Sequence, residues 1–398
     1  MGDDLYVNKG FGLKAAIGGQ LQRDYHSALV DRMRTENFRL ESEGLTFLLA
    51  QEFGFCYGVD RAIEYAYETR EKFPHKTIYI TGEIIHNPGV NRRLSEMGIR
   101  FLDGRDPDAN YEILREEDVV LLPAFGVPLA QMNLLRSRGC IMVDTTCGSV
   151  LNVWKNVEKY AAGGFTALIH GKYAHEETRA TASRALKHPE GRYIVVRDRA
   201  EADTVCNHIE HGGDKREFLE RFAPAVSPGF DPDMHLERLG CANQTTMLST
   251  ESLAIAEAVR QSILRRFGPE QVASRFRAFD TICSATQERQ DAVHALFRDH
   301  TLDLMIVIGG YNSSNTTHLV EIAAEKVPAF HIQHADCVLG PDRIRHQPFG
   351  SVTESEAMNW LPDGKVVLGV TAGASTPNSE IGKVVARIAS FRGVHLVS

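Results

Sequence analysis

The chain has 398 residues, 43% of them hydrophobic and 24% charged, with a formal net charge of −8, which suits a globular protein of two or three domains. A negative chain without a long basic run cannot neutralise a nucleic-acid backbone, so no nucleic-acid partner is expected. No stretch approaches the roughly 20 apolar residues of a membrane span, and the acidic start Met1-Gly2-Asp3-Asp4 has no secretory apolar core; the expected location is cytoplasmic.

In chain order, residues 1–45 form an N-terminal leader of polar and short apolar pieces. An apolar run of strand length, 45–50, precedes Cys56. After it, Val59, Ala62, Ile63, Ala66 and Tyr67 recur at helical spacing. A second strand, 77–81, ends at Gly82, which opens a polar loop with His86 and Asn87. The same order then returns. A strand at 141–143, Cys147, a helix carrying Val150, Val153, Trp154 and Val157, and a strand at 165–169 lead to Gly171 and a loop with His175, Glu176 and Glu177. The segment 207–240 is rich in Gly, Pro and charge and reads as an inserted excursion, with His208 and His211 solvated in it. The third copy runs through a strand at 276–279, Cys283, a helix with Ala292, Val293, Leu296 and Phe297, and a strand at 304–308. It ends in Gly309 and the loop Asn312-Ser313-Ser314-Asn315. Cysteine and glycine stand 26, 24 and 26 residues apart in the three copies, a regularity that marks an internal repeat.

Alternating strands and helices imply an α/β fold with parallel sheets built from βαβ units, which bind ligands beyond the carboxyl ends of their strands. The repeat divides the chain into three pseudo-equivalent α/β lobes facing one centre, at 46–142, 143–279 (with the 207–240 excursion) and 280–398. Three thiolates from separate segments suit a metal centre with one open position. An iron–sulfur cluster is the first choice. A three-cysteine zinc site is the alternative, although the paired CxxC spacing of structural zinc is absent. A lone cysteine is commonly just a buried core residue, and Cys140, Cys206, Cys241 and Cys337, without matched counterparts, are read that way. The imidazoles, hydroxyls and amides of the polar loops, with Gln244-Thr245-Thr246 and Gly369–Ser375, form a cradle for phosphate or carboxylate. Asn and Ser before a helix also serve simply as N-caps. Glu177 is a candidate proton donor, since a carboxyl beside an anionic ligand keeps its proton more readily.

At these residues the sequence resembles the 4-hydroxy-3-methylbut-2-enyl diphosphate reductase family. The matching motifs are Gly54-Phe-Cys56-Tyr-Gly-Val-Asp-Arg-Ala-Ile63, His86-Asn87, Asp144-Thr-Thr-Cys147, His175-Glu-Glu177, Gln244-Thr-Thr246, Cys283-Ser-Ala-Thr-Gln-Glu-Arg-Gln290, Asn312-Ser-Ser-Asn315 and Gly369-Val-Thr-Ala-Gly-Ala-Ser375. The resemblance implies a trefoil of three α/β lobes around a central 4Fe-4S cluster held by Cys56, Cys147 and Cys283. It implies an allylic-alcohol diphosphate as substrate, whose hydroxyl binds the open iron and leaves as water with two electrons and two protons. The products are isopentenyl and dimethylallyl diphosphates, and the reaction is the last step of the non-mevalonate isoprenoid pathway. By the same carry-over Glu177 supplies protons with Thr245 organising them, and His86, His175, Thr245, Ser313, Ser314, Asn315 and Ser375 bind substrate. The implied redox partner is a low-potential donor such as ferredoxin or flavodoxin. Phe125 departs from the many bacterial members with histidine in that loop, and Tyr311 from a common charged residue. Together with the leader and the 207–240 segment, these departures resemble the longer plant and cyanobacterial branch. A quinolinate-synthase-like dehydratase also places three cysteines on one cluster but needs no reductant. An iron–sulfur sensor is the non-enzyme alternative.

Overall fold

The computed structural model describes residues 5–104, 110–279 and 281–397; Met1 to Asp4 at the head of the leader, and Asp280 at the head of the expected third lobe, lie outside the described residues. The chain divides into two compact units, Glu112–Cys283 with the chain's start through Tyr6, and Val7–Tyr111 with Ser284–Ser398.

In the first unit, four parallel strands lie in the order Phe276–Ala278, Leu239–Asn243, Thr166–His170, Tyr193–Val196. The two central strands are buried at every position, as in a parallel sheet with helices over both faces. Val119–Leu122 and Ile141–Asp144 form a further parallel pairing. The helix Gly148–Ala162 turns Val153, Val157 and Tyr160 into the core.

In the second unit, Ala329–Ile332, Leu304–Ile308, Val366–Ala372 and Leu45–Leu49 are parallel, and Arg39–Ser42 adds an antiparallel edge. Ile78–Ile80 and Ile99–Phe101 pair in parallel, and an antiparallel ribbon joins Arg343–His346 to Ser355–Met358. The fold is therefore α/β with parallel sheets. Both large sheets place a pre-cysteine strand beside the strand from Leu239 or Val366, followed by the strand that comes after a cysteine-bearing helix. The sequence repeat is thus a repeat of topology.

The strand partners differ from those expected of closed βαβ units. The cysteine crossovers do not close a βαβ unit within one sheet. Leu45–Leu49, before Cys56, pairs with Val366–Ala372, whereas Ile78–Ile80, after its helix, pairs with Ile99–Phe101. Phe276–Ala278 pairs with Leu239–Asn243, whereas Leu304–Ile308 pairs with Val366–Ala372. Each crossover leads out of one sheet into another. Periodicity shows that a strand exists but carries no information on which sheet accepts it.

The 207–240 excursion is helical and packed into the core, and of His208 and His211 only one is solvated. Helices Arg199–His211, Lys215–Phe222 and Pro232–His235 run through it, and Phe218, Phe222, Phe230 and Leu236 are buried in the core of the first unit. Phe218 and Phe222 share a face by their spacing of four. Gly212, at φ +69°, ends a helix rather than marking a loop. His208 is buried, its Nε2 3.0 Å from Asp233 Oδ1 and its ring centroid 4.8 Å from that of Phe218; only His211 is exposed. The leader also folds, into helices Lys14–Tyr25 and Ala28–Thr35 and the strand Arg39–Ser42. The Glu68 carboxylate accepts the Phe11 and Leu13 amides at 2.6 and 2.7 Å, tying the leader to the Cys56 helix. Among the described residues no helix is long and apolar enough to cross a membrane.

Candidate active site

Parallel strands send their following loops to one edge, so the polar loops of each unit gather at the carboxyl ends of its strands. In the first unit, Ile141–Asp144 runs into Thr145 and Thr146, both buried, and then into Cys147 at the N-cap of Gly148–Ala162. Asp144 organises this turn. Its Oδ1 accepts the Thr146 amide at 2.8 Å and the Thr146 hydroxyl, and its Oδ2 accepts the Tyr6 hydroxyl. The Cys147 amide donates to Ala124 O at 2.9 Å, which joins the cysteine turn to the Pro123–Val127 loop.

That loop brings Phe125 edge-on to His175, with ring centroids 5.8 Å apart. His175 is the N-cap of helix Glu176–Ala185, and its Nδ1 accepts the Glu177 amide at 3.2 Å. A neutral imidazole capping through Nδ1 carries its proton on Nε2, where it can donate to an anion. Glu177 is only 2% exposed, and its Oε1 accepts the Thr245 amide at 2.6 Å. The Thr245 carbonyl in turn accepts the Cys283 amide at 3.2 Å. One peptide segment therefore ties the candidate proton donor to a candidate metal ligand. Gln244 supports it from below, its Oε1 accepting Lys172 N and Thr178 Oγ1 at 3.1 and 3.0 Å.

In the second unit, the Cys56 turn hangs on the loop after Val366–Ala372. Gly54 N donates to Ala372 O at 3.3 Å and Cys56 N to Ala374 O at 3.2 Å. Gly54 sits at φ +71°, a conformation strained for other residues, and an added Cβ would press on Asn378 Oδ1 and Thr376 O at 3.1 and 3.2 Å. The buried Arg289 holds the Gly54 carbonyl at 2.7 Å. Ser313 caps helix Ser314–Ala324 by accepting the Thr316 amide. Asn315 is 2% exposed; its Oδ1 accepts Ala374 N at 2.9 Å, and its Nδ2 has no hydrogen-bond partner among the described residues. A buried amide N–H₂ left without an acceptor is costly, and a ligand oxygen would satisfy it. Ser375 Oγ donates to His86 O at 3.0 Å. His86 Nδ1 lies 2.9 Å from Glu83 Oε2 and 3.1 Å from Asn312 Nδ2, so Glu83 and Asn312 belong to the constellation. Glu83 carries no signal of this in the sequence, since nothing in its spacing points at the imidazole three residues on.

The sequence-predicted residues thus fall into two groups. Cys147, His175, Glu177, Thr245 and Cys283 are linked within the first unit. Cys56, His86, Ser313, Ser314, Asn315 and Ser375 belong to the second. The seven cysteines also sort cleanly. Cys56, Cys147 and Cys283 are half-buried, whereas Cys140, Cys206, Cys241 and Cys337 are buried. Cys56 and Cys147 begin helices without using sulfur as the cap. Burial pushes the Cys241 thiol well up and that of Cys206 up, as suits inert core thiols.

In each unit the parallel strands of an α/β protein end in loops that carry partly exposed cysteines, imidazoles and hydroxyls, and in the second an Asn315 amide unsatisfied among the described residues, a donor set of the kind that could ligate a soft metal and an anion. A family model described as LytB protein matches residues 47–389, and this chain belongs to that family. The 4-hydroxy-3-methylbut-2-enyl diphosphate reductase of Gloeobacter violaceus is 50% identical over 98% of this chain and 93% of its own length. The proteins of that name from Microcystis aeruginosa and Thermosynechococcus vestitus are 47% and 48% identical, covering 98% and 99% of this chain and 95% and 96% of theirs. These cyanobacterial relatives agree with the longer branch that the sequence resembles. A solved structure of (E)-4-hydroxy-3-methyl-but-2-enyl diphosphate reductase, the terminal enzyme of the non-mevalonate pathway, matches with a TM-score of 0.51 and 27% identity, covering 86% of this chain and 99% of that one. The E-1-hydroxy-2-methyl-but-2-enyl-4-diphosphate reductase of Plasmodium falciparum shares the fold at a TM-score of 0.59 and 23% identity, over 87% of each chain.

Proposed function

We propose that this chain reduces 4-hydroxy-3-methylbut-2-enyl diphosphate to isopentenyl and dimethylallyl diphosphates, using a 4Fe-4S cluster held by Cys56, Cys147 and Cys283. The observation that carries the reading is the sorting of the cysteines: the three matched by the internal repeat are the partly exposed ones, and the unmatched four are buried. Thiolates are the usual ligands of iron–sulfur clusters, and three of them leave one iron open. The names borne by relatives at 46–50% identity supply the substrate. The three-lobe division at 46–142, 143–279 and 280–398, closed as a trefoil around the cluster, belongs to the same proposal.

A bound cluster supplies single electrons and a Lewis-acidic iron. The rest is done by the chain's own groups. Glu177 holds and gives up a proton at its carboxyl group, which the Thr245 amide fixes in orientation. His175 donates from Nε2 because its Nδ1 is occupied by the Glu177 amide. Ser313 and Ser314 begin an 11-residue helix, whose N-terminus favours a diphosphate. Asn315 offers its unsatisfied Nδ2 to the substrate, with His86, Thr245 and Ser375 completing the set. The electrons come from a low-potential donor such as ferredoxin or flavodoxin, in the cytoplasm. Anaerobically reconstituted protein, given the substrate and a reduced viologen, is expected to oxidise the viologen and release both five-carbon diphosphates. Consumption of substrate without reductant, or no turnover by iron-loaded protein, would overturn the proposal.

A further inference from the structure

Arg184 is a buried cation that the proposed reaction does not use. It lies two turns along the helix that begins at His175 and Glu177, is 5% exposed, and forms no ion pair within 4.0 Å among the described residues. Its guanidinium lies 3.5 Å from the centroid of the Trp154 ring. Nη2 donates to Val127 O at 3.2 Å, and Met132 Sδ stands 3.9 Å from both terminal nitrogens. Its Nε has no hydrogen-bond partner among the described residues. A charge held this way is expensive, and burial pushes its pKa down to about 10, still far above neutrality.

The surroundings give the charge a target. Trp154 packs with Val150 and Ala180 in a small cluster that Cys147 closes. Trp154 also leaves no room at Gly126, where a side chain would meet the indole at 2.2 Å. The guanidinium therefore holds the Pro123–Val127 loop through Val127 O and stacks on the Trp154 indole, a member of the cluster against which Cys147 packs. The charged groups acting on it are Glu158 and Asp144, with Arg136 opposing. Glu158 has its own partner in Lys187 at 2.9 Å. Asp144, three residues before Cys147, accepts hydrogen bonds from Tyr6 and Thr146 and has no ion pair among the described residues.

We propose that Arg184 is a positioning residue whose buried positive charge, acting through Trp154 and against Asp144, raises the reduction potential of the metal–sulfur centre at Cys147. A nearby cation favours the more negative, reduced form of such a centre, and net charge is one of the main determinants of its potential. The inference rests on the cluster reading above.

The test is an anaerobic potentiometric titration, followed by electron paramagnetic resonance, of the full iron-loaded chain and its Arg184→Gln and Arg184→Lys variants. The Gln amide can still donate to Val127 O but carries no charge; Lys keeps the charge and loses the planar stack. The expected result is a more negative midpoint potential for Arg184→Gln and a potential near wild type for Arg184→Lys. Equal potentials in wild type and Arg184→Gln would overturn the proposal, as would equal shifts in both variants. Arg184→Met replaces the Gln variant if the latter fails to fold. A wild-type chain that takes up no iron and sulfide would instead defeat the cluster reading, so the two failures are distinguishable.

Discussion

Glu177→Gln is the sharpest perturbation of the candidate chemistry, because the structure says what the change leaves intact. The carboxyl group is 2% exposed, and Oε1 accepts the Thr245 amide at 2.6 Å. A Gln carbonyl oxygen occupies the same place and accepts the same N–H, so the link from Thr245 to Cys283 survives and the fold should lose no more than about 1 kcal/mol. The ability to hold and release a proton is lost. A positioned general acid contributes roughly 10²- to 10⁴-fold, equivalent to about 3–5 kcal/mol of barrier. In an anaerobic assay following viologen oxidation, Glu177→Gln should retain wild-type iron content and thermal unfolding while its kcat falls by about that factor. A kcat within about threefold of wild type, at equal iron content, would refute the proton-donor assignment.

Asn315→Ala should raise KM about tenfold in the same assay, since it removes a buried donor that has no acceptor among the described residues; an unchanged KM would show that Nδ2 meets no substrate. Gly126→Ala should destabilise the first unit by roughly 1–3 kcal/mol in denaturant unfolding, because its Cβ would overlap the Trp154 indole at 2.2 Å and the residue sits at φ +75°. His331 gives a pH signature. It is buried, its Nε2 lies 3.1 Å from Gly309 O, and desolvation pushes its pKa down to about 4 from 6.5. The folded state therefore refuses a proton that the unfolded state accepts. Stability is complete above about pH 6.5 and falls as pH drops towards 4, by up to roughly 3 kcal/mol. His331→Gln should flatten that window in unfolding experiments across pH.

The legible part of the fold was its repeat. Buried apolar runs of strand length and helices with apolar residues at a 3.6 period leave local traces, so the strands before Cys56, Cys147 and Cys283 and the helices after them stand close to where the periodicity places them. The pairing of Leu45–Leu49 with Val366–Ala372 did not show, because strand partnership is decided by long-range packing. The leader was illegible for a related reason: its first helix buries only Ile17 and carries almost no apolar stripe. At 207–240 the glycines and prolines spoke louder than the Phe218 and Phe222 pair that anchors the segment in the core. At the site, residue types and spacing named the cysteines and the polar loops. The role of Arg184 beneath Trp154 arises from side chains meeting across two helices, and that of Glu83 beside His86 from the way one irregular loop folds; no helix or strand period reports either.

The central claim is tested most directly by iron and acid-labile sulfide analysis of the anaerobically reconstituted chain and its single Cys→Ser variants. Wild type should hold about four irons and four sulfides per chain, and Cys56→Ser, Cys147→Ser and Cys283→Ser should each lose most of them, while Cys206→Ser keeps the full complement. Full iron in any one of the first three variants, or loss in the last, would contradict the account.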